Sequence, residues 1–441
     1  VQNVKSKQEQ WQTIFATIRG GLCKIQDMTG ENTKNQWLKL ATVSFLIKGL
    51  ALGVGLFFIK ESSAWINHTF VDLWGWLDFM KKSAAGGVPF VDFSKEYPVG
   101  AGMLYWVFGK LNLNGDSTRF LHLHALVMSI WDVANTLLFY SILLEIRAKR
   151  AFLGALLFLL LPTFLILSPV RFETVVLTSV LMGYRHHRRG ECHLASLWWA
   201  LGAMIKIFPL LFIAIQEYGI WSSQKDKWKR IPRHALVSSG IFILVAALVN
   251  GPFLVAGLLK NGNMDAWLAT YRFHVERPLY WDTILGVMHL WWGEFPWERN
   301  ASAWSSMLMI VLLFLTPRLR MEAKSVLLMC AALLFNRVYS TQFHLWFYPM
   351  LIVLISAEEV GRRYRRLFLG LVLLDLVNVL VYPFAFSKTL QEILRFEAFS
   401  ARDRGSVWAV FFSALIFFRA LILLWFMGTL WKEKSPIEAN R

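Results

Sequence analysis

Long apolar runs alternate with short, mostly basic segments along nearly the whole chain. Runs at about 37–59, 119–145, 151–168, 172–185, 234–258, 301–317, 323–337, 341–357, 365–386 and 407–430 read as membrane-spanning helices. The run 194–221 is interrupted by Pro209 and reads as two short spans turning near Phe208 and Pro209. One kinked helix there would leave the basic tract 225–233 on the wrong side of the membrane. About twelve spans result, in an all-α polytopic arrangement.

The clusters at 147–150, 185–189, 225–233, 318–324, 362–366 and 432–434 then share one face with both termini, which the positive-inside rule assigns to the cytoplasm. Two long polar-aromatic loops, about 60–118 and 259–300, face the other way. Within the first, residues 97–110 are too few to span comfortably and are expected to form an interfacial helix. The layout is a cytoplasmic segment over 1–37, a membrane domain over 38–431 and a cytoplasmic tail over 432–441. Trp11, Ile14, Phe15 and Ile18 have helical spacing, which suits either a short interfacial helix or a loosely ordered tail. The first 37 residues contain no cleavable signal pattern.

Composition agrees with this reading. Hydrophobic residues make up 56% of the 441 and charged ones only 17%, too few for a soluble domain of this length. The net charge of +17 is spread over the inter-span clusters, which argues against a nucleic-acid partner. Cys23, Cys192 and Cys330 lie far apart and form neither a metal spacing nor a disulfide framework. His186 and His187 sit in a basic turn and read as part of a topology signal. No internal repeat of the kind common in secondary transporters is evident.

Several ionisable residues ask for a reason. Asp72, Asp78, Asp92 and Glu96 crowd the first outer loop beside aromatic rings. A carboxylate such as Asp72 near Trp74 and Trp76 could accept a proton from a hydroxyl, or could merely solvate an interfacial loop. Glu96 before Tyr97 and Pro98 suits a helix start, with the glutamate satisfying open N–H groups. Lys206 lies in an apolar run, where insertion costs roughly 2.5–3.5 kcal/mol. It could snorkel or anchor a lipid phosphate. Arg171 and Glu173 form either a plain ion pair or a second phosphate contact with its counter-charge. Arg272, His274 and Arg277 among aromatic residues suit phosphate and sugar, or equally a loop on lipid headgroups. His344 opens an apolar helix, as a satisfied histidine or as a base facing the same outer cavity as Asp72.

In order, these motifs resemble the polyprenyl-phosphate-sugar-dependent glycosyltransferases of the GT-C superfamily, and within it family 87, which includes mannosyl- and arabinofuranosyltransferases. Asp72–Leu73 with Trp76, then Gly87–Phe90, Asp92 and Glu96–Pro98, is similar to that family's Asp-Leu-x-x-Tyr, Gly-x-Pro-Tyr and Glu-Tyr-Pro-Pro series. Arg171–Glu173 resembles its Arg-Phe-Asp, Lys206–Pro209 its Lys-x-x-Pro, and His274–Arg277 its His-x-x-Arg. Ser340–Trp346 with Pro349 is similar to Ser-Pro-Gln-Tyr-x-x-Trp followed by Pro. The chain departs at Val99, Trp76, Glu173 and Thr341, which bears on the choice of sugar.

The resemblance implies a GT-C fold with a large first extracytoplasmic loop, in a multi-pass plasma-membrane protein. Its donor would be a polyprenyl-phosphate-linked sugar, mannose foremost, and its acceptor a membrane lipid or glycan. Asp72 would be the base of an inverting displacement, with His344 as an alternative base or partner. Lys206, Arg272 and Arg277 would hold the leaving phosphate. Arg171, Glu173, His274, Glu96, Tyr97 and Gln342 stand at matching positions as substrate contacts. No cofactor is implied and no metal site is evident, although an ion between Asp72 and Asp92 would fit the chemistry. The rival functions are a transporter or flippase of a lipid-linked headgroup, and an assembly subunit without chemistry.

Overall fold

Where the sequence carries an apolar run, the chain forms a helix. The computed structural model describes residues 31–60, 71–111, 117–223, 233–277, 279–280, 282–296, 300–317, 319–357, 361–385 and 407–431. The expectations for residues 1–30, for the basic tract 224–232 and for the tail 432–441 lie outside them. Among the described residues there is no strand, only an isolated bridge between Pro89 and Phe93.

In chain order the helices are α1 (Glu31–Lys60), α2 (Val71–Ala84), α3 (Val99–Lys110), α4 (Ser117–Glu145), α5 (Ala151–Leu160) and α6 (Pro162–Ile166). They continue with α7 (Glu173–Arg188), α8 (Cys192–Ala203), α9 (Leu210–Ser223), α10 (Arg233–Asn261), α11 (Asp265–Glu276) and α12 (Ile284–Trp292). Last come α13 (Ala301–Leu315), α14 (Met321–Phe335), α15 (Tyr348–Ala357), α16 (Arg362–Val379) and α17 (Val407–Trp431). Among the described residues, the segments 119–145, 233–261 and 409–431 are long and apolar enough to cross a membrane. The pair α5 and 162–170, bent by 54°, could make a fourth crossing. The chain is therefore an all-helical protein with the character of a membrane protein.

The interruptions matter more than the helices for placing chemistry. Between α8 and α9, residues 204–209 leave the helix, a longer break than the turn expected at Phe208 and Pro209. The run expected as one span over 341–357 opens with a 3-10 turn, Thr341–Trp346, before α15 begins. The run at 365–386 ends in a π turn, Leu380–Ala385, with Tyr382 in extended geometry. α3 follows Pro98 as expected, but no side chain caps its first turn. Glu96 pairs with Lys95 at 2.8 Å instead, so the capping role expected for it is not taken.

Close packing of α7 on α8 sets the key register. Gly183 faces the indole of Trp199, where an added Cβ would come within 2.2 Å of the ring nitrogen. Gly202 faces Ser179 with an equally small gap, so small residues let the two backbones approach. The hairpin is antiparallel, which brings the start of α7, at Glu173, beside the chain just past the end of α8, at Lys206. The amide of Gly100 then donates to the Met204 carbonyl at 2.8 Å and docks α3 on the same break.

Gly183→Ala should overpack this interface and destabilise the protein by about 1–3 kcal/mol. Gly240→Ala on α10, with open space around the new methyl, should be neutral or stabilising. Thermal unfolding in detergent compares the two.

Candidate functional site

Lys206 cannot reach bulk water easily, so its charge must be met within the protein. It forms an ion pair with Glu173, whose side chain is only 1% exposed. Four rings surround the ammonium: Tyr97 at 5.5 Å, Phe172 at 5.4 Å, Phe343 at 5.2 Å and Trp346 at 5.0 Å from their centroids. Each lies within cation–π range. The rings come from three separate breaks in helical structure, before α3, before α7 and in the 3-10 turn. Trp346 is itself fixed by stacking on Phe208 at 4.2 Å and on Phe343 at 4.0 Å.

Two further cations stand around this pair. Arg171 lies within electrostatic reach of Lys206, as does Arg277. Arg171 donates to the Tyr382 hydroxyl at 3.4 Å, which ties the break before α7 to the π turn. Arg277 lies over the rings of Tyr280, at 4.7 Å, and Phe273, at 5.4 Å. Its Nε is buried without a hydrogen-bond partner among the described residues, as are Glu173 Oε2 and Gln342 Oε1. Among the described residues, Arg171 and Arg277 thus stand near the Lys206–Glu173 pair, while Glu96 is matched by Lys95.

Its outer wall is built from the first loop. Trp76 of α2 stacks on Tyr105 at 3.9 Å and lies at 5.5 Å from Tyr97, which meets Phe172 edge-on at 5.0 Å. The His274 ring donates to the Glu96 carbonyl; burial lowers its pKa below 6.5, with that hydrogen bond opposing. The loop is clamped again where Thr270 Oγ1 donates to the Lys95 carbonyl at 2.7 Å.

The structure therefore gathers Glu96, Tyr97, Arg171, Glu173, Lys206, His274 and Arg277 at one place, with Gln342 beside the Phe343 wall. Asp72 starts α2 one helical turn ahead of Trp76, and its side chain lies outside the described residues. Arg272 does not join the cluster. It is 60% exposed and, among the described residues, pairs with Asp265 at 3.9 Å, while Thr270, two residues earlier on α11, is the position buried against the first loop. His344 takes the satisfied alternative rather than that of a base facing an outer cavity. It is fully buried, its Nε2 meeting the Tyr339 hydroxyl and its Nδ1 the Tyr348 hydroxyl at 3.0 Å, so both ring nitrogens are already taken.

Asp92 is committed elsewhere. Both carboxylate oxygens meet Lys260, at 2.7 and 2.8 Å, and one accepts from the Val88 amide at 2.8 Å. The Lys260 hydrogen bond foremost holds its pKa below 3.8. Among the described residues, no group of three or more His, Cys, Asp or Glu stands together as a metal site.

Several charged residues that matter here escaped the sequence reading: Lys48, Asp132, Asp282, Asp375 and Arg419, all buried. A single ionisable residue inside an apolar run was the available signal for four of them. Arg419 lies 3.6 Å above the Tyr339 ring and donates to the Asp282 carbonyl. Burial pushes the Asp282 carboxyl up to about 6, against the pull of Arg419 and Arg277.

A carboxyl whose pKa is higher in the native than in the unfolded protein makes the native state more stable as pH falls through the native value. The native protein should therefore gain stability from Asp282 between about pH 7.5 and 5. Asp282→Asn should remove that part of the pH dependence, read as thermal midpoints of both proteins across the range.

No family model matches the chain, and no curated protein sequence matches it.

Proposed function

We propose that this chain is an integral-membrane glycosyltransferase of GT-C architecture with about twelve spans. It would move a sugar, mannose foremost, from a polyprenyl-phosphate donor to a lipid or glycan acceptor on the extracytoplasmic face of the plasma membrane. The observation that carries this reading is the gathering of Arg171 and Arg277 around the Lys206–Glu173 pair within an aromatic wall.

The charge balance favours a leaving phosphate. A lipid-linked sugar phosphate is a diester with one negative charge, whereas the released polyprenyl monophosphate approaches two. A site lined by three cations therefore complements the product-like transition state better than the bound donor. That difference is what accelerates a reaction. Lys206 is kept charged and in place by Glu173, so its ammonium is preorganised for the developing anion. Arg277, with a buried Nε still to be satisfied, supplies a directional donor.

The step is an inverting displacement. The acceptor oxygen bonds to the anomeric carbon as the bond from that carbon to the phosphate oxygen breaks, and the bonding pair leaves with the phosphate. The acceptor's proton passes to Asp72, which the register of α2 sets one turn before Trp76. The half-buried Tyr97 ring, backed by Trp76, offers an apolar face for a sugar, and the unpartnered Gln342 oxygen offers an acceptor for a sugar hydroxyl. His344, sealed between two tyrosines, has no part in proton transfer.

Purified protein in detergent, given polyprenyl-phosphate mannose, arabinofuranose and glucose in turn with a membrane-lipid extract, should consume one donor with a matching mass gain in a lipid. Movement of intact labelled donor across liposomes with no mass change would instead establish a flippase. Asp72→Asn should cost at least about 10²-fold in turnover while donor binding is retained. Arg277→Ala should cost about 10²–10³-fold. Arg272→Ala, at an exposed position outside the cluster, should stay within about two-fold, whereas equal losses at both arginines would contradict the assignment.

A further inference from the structure

Lys48 and Asp132 are 84 residues apart in sequence and meet at 2.6 Å, with side chains 3% and 2% exposed. They lie in the middle of α1 and α4, where charges are costly and neither packing nor solubility calls for them. A buried ion pair is a weak source of stability, because apolar residues of similar size commonly do as well or better. The pair needs another reason, and its other partners supply one.

All of those partners belong to the stretch 164–174. Lys48 Nζ donates to the Phe164 carbonyl at 2.8 Å and to Ser168 Oγ at 3.0 Å, so with Asp132 all three of its protons are used. Asp132 Oδ2 also accepts from Ser168 Oγ, and its Oδ1 accepts from Thr174 Oγ1 at 2.6 Å. Asn135, one turn further along α4, donates to the Thr174 carbonyl at 2.7 Å. Between these grips the chain passes through the short α6, a 3-10 turn at Ser168–Val170 and an extended Arg171 (φ −133°, ψ 148°). Such backbone has few ladder hydrogen bonds of its own to fix it. A third hold comes from His124, whose Nδ1 meets the Pro169 carbonyl at 3.1 Å and whose Nε2 meets the Tyr105 hydroxyl at 2.9 Å.

We propose that Lys48 and Asp132 are positioning residues: they clamp residues 164–174 from both ends and so set where Arg171 and Glu173 stand around Lys206. The role rests on the transferase reading for its consequence, but the clamp itself does not. Asp132 holds Ser168 three residues before Arg171 and Thr174 one residue after Glu173. A shift of this short stretch moves the cation and the carboxylate together. Loss of the clamp therefore misplaces the charge that meets the leaving phosphate more than it weakens the fold.

The decisive variants are Thr174→Val, which removes one hydroxyl from Asp132 while keeping shape, and Thr174→Ser, which restores it. A double variant, Lys48→Met with Asp132→Leu, removes the pair without leaving a buried unpaired charge. Thr174→Val and the double variant should lower kcat for sugar transfer at least about ten-fold with KM changed less than about three-fold. Thr174→Ser should return kcat to within about two-fold, and thermal midpoints should stay near wild type. Hydrogen–deuterium exchange, which needs no activity, should quicken at the amides of 168–176 in the two impaired variants and not in Thr174→Ser. Unchanged exchange over 168–176 in both impaired variants would overturn the clamp, whether or not sugar is transferred. Quickened exchange in the two impaired variants, with no sugar transferred even by the wild type, would uphold the clamp and defeat the transferase reading alone.

Discussion

An ammonium or guanidinium withdrawn from water needs acceptors or π-faces in its place, and that requirement fixes the interior of this molecule. Lys206 finds Glu173 and four rings, Lys48 finds Asp132 with a carbonyl and a hydroxyl, and Arg419 finds the Asp282 carbonyl and the Tyr339 ring. These contacts bridge 33, 84 and 137 residues of sequence. Each one locks together elements that apolar packing alone would leave free to slide, because lipid-like surfaces pack against one another with little directional preference.

The same requirement explains why chemistry gathers where helices stop. A continuous helix satisfies its own backbone and presents side chains at fixed spacing. At residues 95–98, 171–173, 204–209 and 341–346 the chain is instead free to turn its side chains toward a common point, and its backbone groups are met by neighbours such as Gly100 and His124. Irregular backbone in a membrane protein is tolerated where protein buries it, and these breaks meet around the Lys206–Glu173 pair.

Much of this was legible in the chain itself. Apolar runs gave the helices, and Pro209 and the Ser168–Pro169 pair marked two of the breaks, because proline removes a donor and crowds the preceding turn. The motif order brought Glu96, Arg171, Glu173, Lys206, His274 and Arg277 into one reading, and they stand together. What sequence could not supply was facing. Arg272 and Arg277 looked equivalent, but five residues and the end of α11 separate an exposed guanidinium from one over two rings. His344 looked available because its fate depends on Tyr339 and Tyr348 closing over both nitrogens. Lys48 and Asp132 went unread within two apolar runs, since pairing at such separation is a tertiary fact.

The central claim is that Lys206, Arg171 and Arg277 receive the phosphate of a lipid-linked sugar. Electron cryomicroscopy of the full chain with a non-hydrolysable polyprenyl-phosphate mannose analogue tests it most directly. Phosphate density among these three side chains, with the sugar toward Trp76 and α2, is the expected result. Phosphate density at the Arg362–Arg366 end of α16, with the Lys206 cluster unchanged, would contradict the account.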